Sequence, residues 1–351
     1  MPILSHVVLR KCGYAIFEAA GLPEDQARIV TDHLVDANLV GHDSHGIHRM
    51  PGYARGVRDG GIKPAGNHKV VRETPASLTI DAGGGIGIVV ANLAMRMAVD
   101  RALQHTLGAV AVHRSGHIGR LGDFPSVAAA RDCIGILMLN GGGRFAAPFG
   151  GTGQRLPPNP IAISVPTGDG PPMTLDITTC IVAGGKVDIC RIRGQPMPED
   201  WMVDRDGNTV TDPEELYTGN AAMLPLGGAY GHKGYGLAMM IDAIAGGLSW
   251  AGCSAEAPTR GGSGFLALAI KIESFADVDD FKSEVRKLID WVKTSPTMPG
   301  VERIYVPGEI ETETRKKRVS EGVFLEEATW SEIRSVAEEL GVAVSKTGSV
   351  A

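Results

Sequence analysis

The stretch DAGGGIG, residues 81–87, decides how the rest of the chain is read. It follows ASLTIDA, which alternates like a strand. It precedes GIVVANLAMRMAVDRALQHTL, whose apolar spacing predicts a helix. A dinucleotide fingerprint, G-x-G-x-x-G, belongs at such a strand-to-helix junction. Counted from Gly83 and Gly85, its last glycine would be position 88, which is Ile88. The spacing fails, and no GxxxxGK[ST] loop occurs either, so neither a Rossmann motif nor a P-loop supports nucleotide binding here.

Upstream of this junction the chain reads as helical. SHVVLRKCGYAIFEAA has helical spacing and stops at Gly21; PEDQARIVTDHLVDANLV opens on proline and two acids and stops at Gly41. Asp43 or Ser44 then caps an expected third helix running through Ile47 to Arg58, with a kink at Pro51. Downstream, GAVAVH, IGILMLN, IAISVPT, PMTLDITT and GFLALAIKI predict strands. DFPSVAAARD, DVDDFKSEVRKLIDWVKT and WSEIRSVAEELGV predict helices, and HKGYGLAMMIDAIAGGL predicts a long buried one. ETETRKKRVSEG reads as a charged connector, and the tail SKTGSVA as disordered. The pattern is α/β (α+β), with the last helices free to pack on the first.

Composition narrows the function. A net charge of −6 argues against nucleic acid, whose binding needs a basic face. Five scattered cysteines, Cys12, Cys133, Cys180, Cys190 and Cys253, make no CxxC pair, which suits a reducing compartment. The N-terminus lacks a signal-peptide core and no segment reaches membrane-spanning length, so a cytoplasmic protein with no membrane partner is expected. The 47 glycines are roughly twice the usual share and cluster in loops, where backbone can approach a ligand closely.

The polar cluster GHDSHGIHRMPGY, residues 41–53, holds three histidines. On a helix, His42 and His48 would point about 120° apart, so no metal is expected there. HDSHG is a poor nucleophile elbow because His42 stands where a glycine is required. His45, Arg49 and Tyr53, at i, i+4 and i+8, would form one stripe: an imidazole to pass a proton, a guanidinium to grip a carboxylate, a phenol to orient an oxygen. A solvated helix face is the bland alternative. Two glycine-rich loops join the candidates: HRSGHIGRLG, with His117, and GGAYGHKGYG, where His232 and Lys233 precede a helix and suit phosphate.

Taken in order, DSHGIHRMPGY, SGHIGRLGD, APFGG, NPIAISVPTG, LDITTCIVAGGKV, PEDWMVDRDGNTVTDP, LPLGG, HKGYGLAMMID and PGEIE resemble the malate/L-lactate dehydrogenase family of type 2 over nearly the whole chain. Its members include ureidoglycolate, sulfolactate and diketogulonate oxidoreductases and cyclic-imine reductases. The resemblance implies a homodimeric NAD(P)-dependent oxidoreductase with a non-Rossmann cofactor fold: a mixed sheet in a central domain, 71–309, and a helical domain from both chain ends, 1–70 with 310–351. It implies His45 as proton donor, oriented by Ser44 and Asp188, or else His117 as the acid/base. Arg49 and Tyr53 match substrate-contacting residues. The cofactor, NAD or NADP, would meet His117, Ile118, Gly119, Arg120, Leu121, Asp176, Ile177, Thr178, Lys186, His232, Lys233, Gly234, Pro307 and Gly308. Arg120 and Arg315 are candidate partners for a 2′-phosphate. The family's GTNP is replaced by RLPPNP, with Pro158 in place of a threonine, and Gly-Ala-Tyr is added before GHKGYG.

The expected reaction is reversible hydride transfer between nicotinamide and C2 of a small 2-oxo/2-hydroxy acid, malate- or lactate-like. Its nearest rival is reduction of a cyclic imine carboxylate. A metal-dependent hydrolase using the histidine cluster is the rival from another class, which stoichiometric zinc would favour.

Overall fold

The structure, a computed structural model, describes residues 2–66, 68–141, 143–256 and 263–345. The tail expected to be disordered lies, beyond Ser345, outside the described residues. Helices α1 (His6–Ala19), α2 (Glu24–Leu39) and α3 (Met50–Arg58) come first. Strands β1 (Lys69–Glu73) and β2 (Ser77–Asp81) follow, then α4 (Gly87–His105), β3 (Leu107–Ser115), α5 (Asp123–Ala129), β4 (Cys133–Asn140), β5 (Ile161–Val165), β6 (Met173–Ile177) and α6 (Gly184–Arg193). The chain continues with α7 (His232–Ile241), β7 (Ser263–Lys271), α8 (Val278–Lys293), α9 (Glu309–Glu321) and α10 (Glu327–Glu339).

The seven strands form one mixed sheet in the order β1-β2-β3-β7-β4-β5-β6. Only β2 and β3 run parallel, with Leu78 opposite Val110 and Ile80 opposite Val112; the other neighbours are antiparallel. A parallel pair needs a crossover, and α4 supplies it. Its Ala91, Ala94, Met95 and Ala98 pack on Val110, Val112, Phe265 and Ala267. The fit is close: a Cβ at Gly108 would lie 1.8 Å from the Ala98 carbonyl oxygen. The glycines of DAGGGIG serve this packing. Gly83 and Gly84 take left-handed backbone (φ 63° and 82°), and a Cβ on Gly87 would sit 2.2 Å from the Gly116 oxygen and 2.5 Å from that of His117. The start of α4 is thereby pressed against the loop that carries His117.

The two chain ends share a core. Leu9, Ile16, Phe17, Leu34 and Met50 pack with Trp330, Ile333 and Val336, and Leu4 pairs with Val323 in a short ribbon. Ser5 caps α1 by accepting the Val8 N–H (3.3 Å). The first residues of α4, Ile86, Ile88 and Val89, join the same core.

Several expectations need correction. ETETRKKRVSEG is not a connector but the helix α9; polar on every face, it carries no apolar period to announce itself. The third helix does not run unbroken through Ile47. Residues Asp43–His45 and Ile47–Arg49 make two 3-10 turns, separated by the extended Gly46. Pro51 does not kink α3; it sits in the first turn, where a missing N–H costs nothing. The long buried helix is buried on one side only. α7 passes into a π-helical turn, Asp242–Gly246, and leaves Leu237, Met239, Met240 and Leu248 exposed. β1 went unread because all five of its residues are exposed.

The RLPPNP substitution leaves its loop anchored. The Pro158 carbonyl accepts from Thr178 Oγ1 (3.0 Å), Thr179 N (3.0 Å) and Thr179 Oγ1 (2.7 Å). Buried Asn159 donates to Asp242 Oδ2 (3.0 Å), whose carboxylate also accepts from Asn140, Ser254 N and Ser254 Oγ.

Candidate active site

The GHDSHG turn is shaped by groups from both chain ends. Buried Asn38 on α2 accepts the Ile47 N–H (2.7 Å) and donates to Asp43 Oδ1 (2.6 Å). Gly46 has to be small, since its Cβ would lie 2.3 Å from Asn38 Oδ1. From α9, Arg318 holds the Asp43 carboxylate with two bonds, Nη1 to Oδ1 at 2.6 Å and Nη2 to Oδ2 at 3.0 Å. His42 meets Glu311 of the same helix (3.3 Å). None of these braces was read from the sequence.

Within this frame the turn presents its chemistry. Ser44 Oγ lies 3.0 Å from His45 Nδ1, and Arg49 Nε donates to the Ser44 carbonyl (3.1 Å). The predicted stripe does not exist as one helical face, yet its members converge. The His45 and His117 rings stack at 5.6 Å and 12°, and the Tyr53 hydroxyl reaches His117 Nδ1 (2.5 Å). The Gly119 N–H also donates to that nitrogen (3.2 Å). A nitrogen that accepts a backbone N–H carries no proton, so the neutral His117 ring keeps its proton on Nε2.

The electrostatics favour uncharged rings. Burial, then the neighbouring His117 and Arg49, hold His45 well below the usual histidine range. Burial and Arg49 lower His117 to about 4, and His48 likewise. His117 is nonetheless exposed to solvent, which moderates the depression. Burial raises the Tyr53 phenol, which therefore stays a hydrogen-bond donor.

The 117–121 loop rests on buried charge. Arg120, only 8% exposed, pairs with Asp123 and lies 3.6 Å from Asp176, whose Oδ2 accepts the Gly122 N–H (2.7 Å). Burial lifts the Asp123 carboxyl, but Arg120 and His33 outweigh it and hold it at about 2; burial raises Asp176 against the pull of Arg120. Arg120 is thus committed inside the protein, whereas Arg315, more exposed, pairs with Asp36 (2.6 Å). Asp188 on α6 faces Arg191 (2.8 Å) rather than Ser44 or His45; the start of α6 touches Ser44 through Gly185 instead.

The remaining candidates lie on other segments. Lys186 is exposed on α6, and exposed Lys233 lies 5.7 Å from the centre of the Tyr230 ring. His232 opens α7 beside Phe149 (5.6 Å), and Gly234 packs so tightly on Leu226 that a Cβ would lie 2.3 Å from its oxygen. Pro307 accepts the Thr174 N–H (3.2 Å), and Gly308 takes left-handed backbone (φ 90°) against Thr174. Within the 117–121 loop Ile118 and Leu121 are buried, whereas Ile177 is only partly covered.

A profile of the malate/L-lactate dehydrogenase family matches residues 4–334. The chain belongs to that family. As a malate/L-lactate dehydrogenase family member it is an oxidoreductase acting on hydroxy acids, and the metal-dependent hydrolase reading falls. Malate dehydrogenase of Pyrococcus horikoshii is 36% identical over 330 residues, covering 92% of this chain and 91% of that one. The crystal structure of malate dehydrogenase from Entamoeba histolytica matches with a TM-score of 0.91 at 30% identity, covering 97% of this chain and 99% of its own. Δ1-piperideine-2-carboxylate reductase from Pseudomonas syringae matches at 0.80 and 25% identity, covering 96% and 100%. In this family member the two histidines of the GHDSHG turn take separate partners, His42 meeting Glu311 and His45 meeting Ser44.

Proposed function

We propose that the protein exchanges hydride reversibly between NAD or NADP and C2 of a small 2-oxo/2-hydroxy acid. The observation that carries this reading is the stacked, uncharged His45–His117 pair beside Arg49, Ser44 and Tyr53. The cofactor candidates suit a dinucleotide. Exposed Lys186 and Lys233 have no carboxylate partner among the described residues, and the start of α7 has no side-chain cap, leaving amides for phosphate. When bound, the nicotinamide supplies the hydride chemistry. On the domain division expected from the sequence, 1–70 with 310–351 against 71–309, the first part supplies His45, Arg49 and Tyr53 and the second supplies His117 and the cofactor candidates.

Arg49 grips the substrate carboxylate through its guanidinium, while its Nε stays on the Ser44 carbonyl. His117 presents Nε2–H to the substrate oxygen and stabilises the alkoxide that develops in reduction. His45, held at Nδ1 by Ser44, exchanges the proton with that oxygen. Asp188 has no part in this scheme. His45→Gln should cut kcat by about 10²–10⁴ and flatten its pH dependence. His117→Gln should cost about 10²–10³ with the pH dependence kept. Full turnover of 2-oxo acids by both variants, in an NADH and NADPH oxidation screen, refutes the assignment.

The resemblance to Δ1-piperideine-2-carboxylate reductase favours a second reading, reduction of a cyclic imine carboxylate. The substrate is again a planar carboxylate with a reducible C2, and the same residues would serve. Amine formation without 2-oxo acid turnover selects it. We also propose a homodimer. Leu237, Met239, Met240 and Leu248 expose an apolar face along α7 that a second copy would cover. Light scattering should give a dimer mass, shifted toward monomer by Met240→Glu; a wild-type monomer overturns it.

A further inference from the structure

We infer that His33, on α2, is a positioning residue that sets the tautomer of His117; this rests on the role proposed above for His117. His33 meets the 117–121 loop at Gly119 and Arg120. It is buried, and each ring nitrogen is used. Nε2 accepts the Arg120 N–H (3.0 Å), so the ring proton lies on Nδ1, which meets Asp123 Oδ2 (3.0 Å). The ring stacks on Phe124 at 5.3 Å. Gly119 is pressed against it: this residue has left-handed backbone (φ 72°), and a Cβ would lie 2.2 Å from His33 Nε2.

These contacts fix two consecutive residues of the loop. With Arg120 N–H directed at His33 and Gly119 seated on the ring, the Gly119 N–H is left aimed at His117 Nδ1. That bond reserves Nδ1 as an acceptor and keeps the His117 proton on Nε2. The Tyr53 hydroxyl cannot enforce this alone, because a phenol both donates and accepts and would serve either tautomer. The chain of control therefore runs from Asp123 through the His33 ring to the Gly119–Arg120 backbone and on to His117. Arg120 and Asp176 close the network behind it, and the Arg120 guanidinium also holds Asp123, the carboxylate that orients His33.

The test compares two variants of the full-length protein. His33→Phe keeps the ring volume and the stack on Phe124 but offers no acceptor to Arg120 N–H and no donor to Asp123. His33→Gln keeps an amide oxygen for the first and an amide N–H for the second. Long-range proton–nitrogen spectra of the histidine rings report the His117 tautomer, and steady-state kinetics report kcat and KM. His33→Phe should lower kcat by about 10- to 100-fold, as ångström-scale misplacement does. KM for the hydroxy acid should stay within about twofold, because Arg49 is untouched. The His117 signal should change from a single Nε2–H form to a mixture, and His33→Gln should restore most of both. A folded His33→Phe with unchanged kcat overturns the inference, and so does a loss of kcat with the tautomer intact. If His33→Phe fails to fold, a His33→Gln protein that keeps the Nε2–H tautomer but loses kcat, or loses the tautomer but keeps kcat, overturns it equally. Failure of the parent reading looks different: there His117→Gln itself keeps full turnover.

Discussion

Arg318→Met should loosen the active-site turn from a distance. The methionine keeps an apolar stem but removes both bonds to Asp43 and the one to the Asn38 carbonyl. Each charge-assisted bond is worth about 1.5–3 kcal/mol when sheltered. Here the Arg318 side chain is 27% exposed and that of Asp43 41%, so screening reduces the pair toward the value of a surface contact. Asp43 also retains its bond from Asn38 Nδ2, so no carboxylate is stranded. The net loss should be about 1–2 kcal/mol, read as a lower urea midpoint with an unchanged slope. The turn carries Ser44, His45 and Arg49, so kcat/KM should fall as well, by about 5- to 30-fold, the same energy expressed in the transition state. A cycle with Asp43→Asn separates the contact from the side chains: the coupling should be about 1 kcal/mol. Unchanged midpoint and turnover in Arg318→Met, or strict additivity with Asp43→Asn, would refute the clamp.

Three further outcomes are expected. His45, His48 and His117 all titrate below the free value of 6.5, the last two near 4, so the unfolded chain binds protons first as pH falls. Stability is full above 6.5 and should decline by about 1–3 kcal/mol between pH 7 and 5, after discounting for the exposure of His117; flat urea midpoints across that window contradict this. Gly108→Ala drives a methyl into the Ala98 carbonyl and should cost at least about 2 kcal/mol in thermal or urea unfolding, so a near-neutral variant would mean that α4 and β3 can separate freely. Arg49→Lys keeps the charge but loses the fork and the Ser44 bond; KM for the hydroxy acid should rise about tenfold or more, and an unchanged KM removes Arg49 from the carboxylate site.

Much of the fold was legible because burial imposes a period. α1, α2 and α4 carry apolar stripes with recognisable stops, and the sheet strands are short apolar runs between glycines. What escaped lacked such a stripe. α9 is polar all round and is held by Arg315, Arg318 and Glu311 through partners near residue 40, which no local window contains. The candidate site was legible as residue types and less so as geometry. His45, Arg49 and Tyr53 do converge with His117, but through two 3-10 turns and a helix start, because Gly46 interrupts the expected helix. The glycines of DAGGGIG looked like a phosphate loop with one fault in spacing. Gly87 instead gives room for the carbonyls at 116 and 117, a steric demand that only the folded pair of segments reveals. His33 gave no signal at all, since a histidine amid a helix is ordinarily a packing residue.

The clamp between residues 43 and 318 also orders events during synthesis. A ribosome extends the chain from the N-terminus, so α1 and α2 emerge long before α9 exists. Until Arg318 clears the exit tunnel, Asp43 has no cation to fasten it and the proton-carrying turn has only Asn38 to hold it. A nascent chain that stops short of α9 would thus hold the strands of the sheet while the turn at Asp43 still lacked its cation.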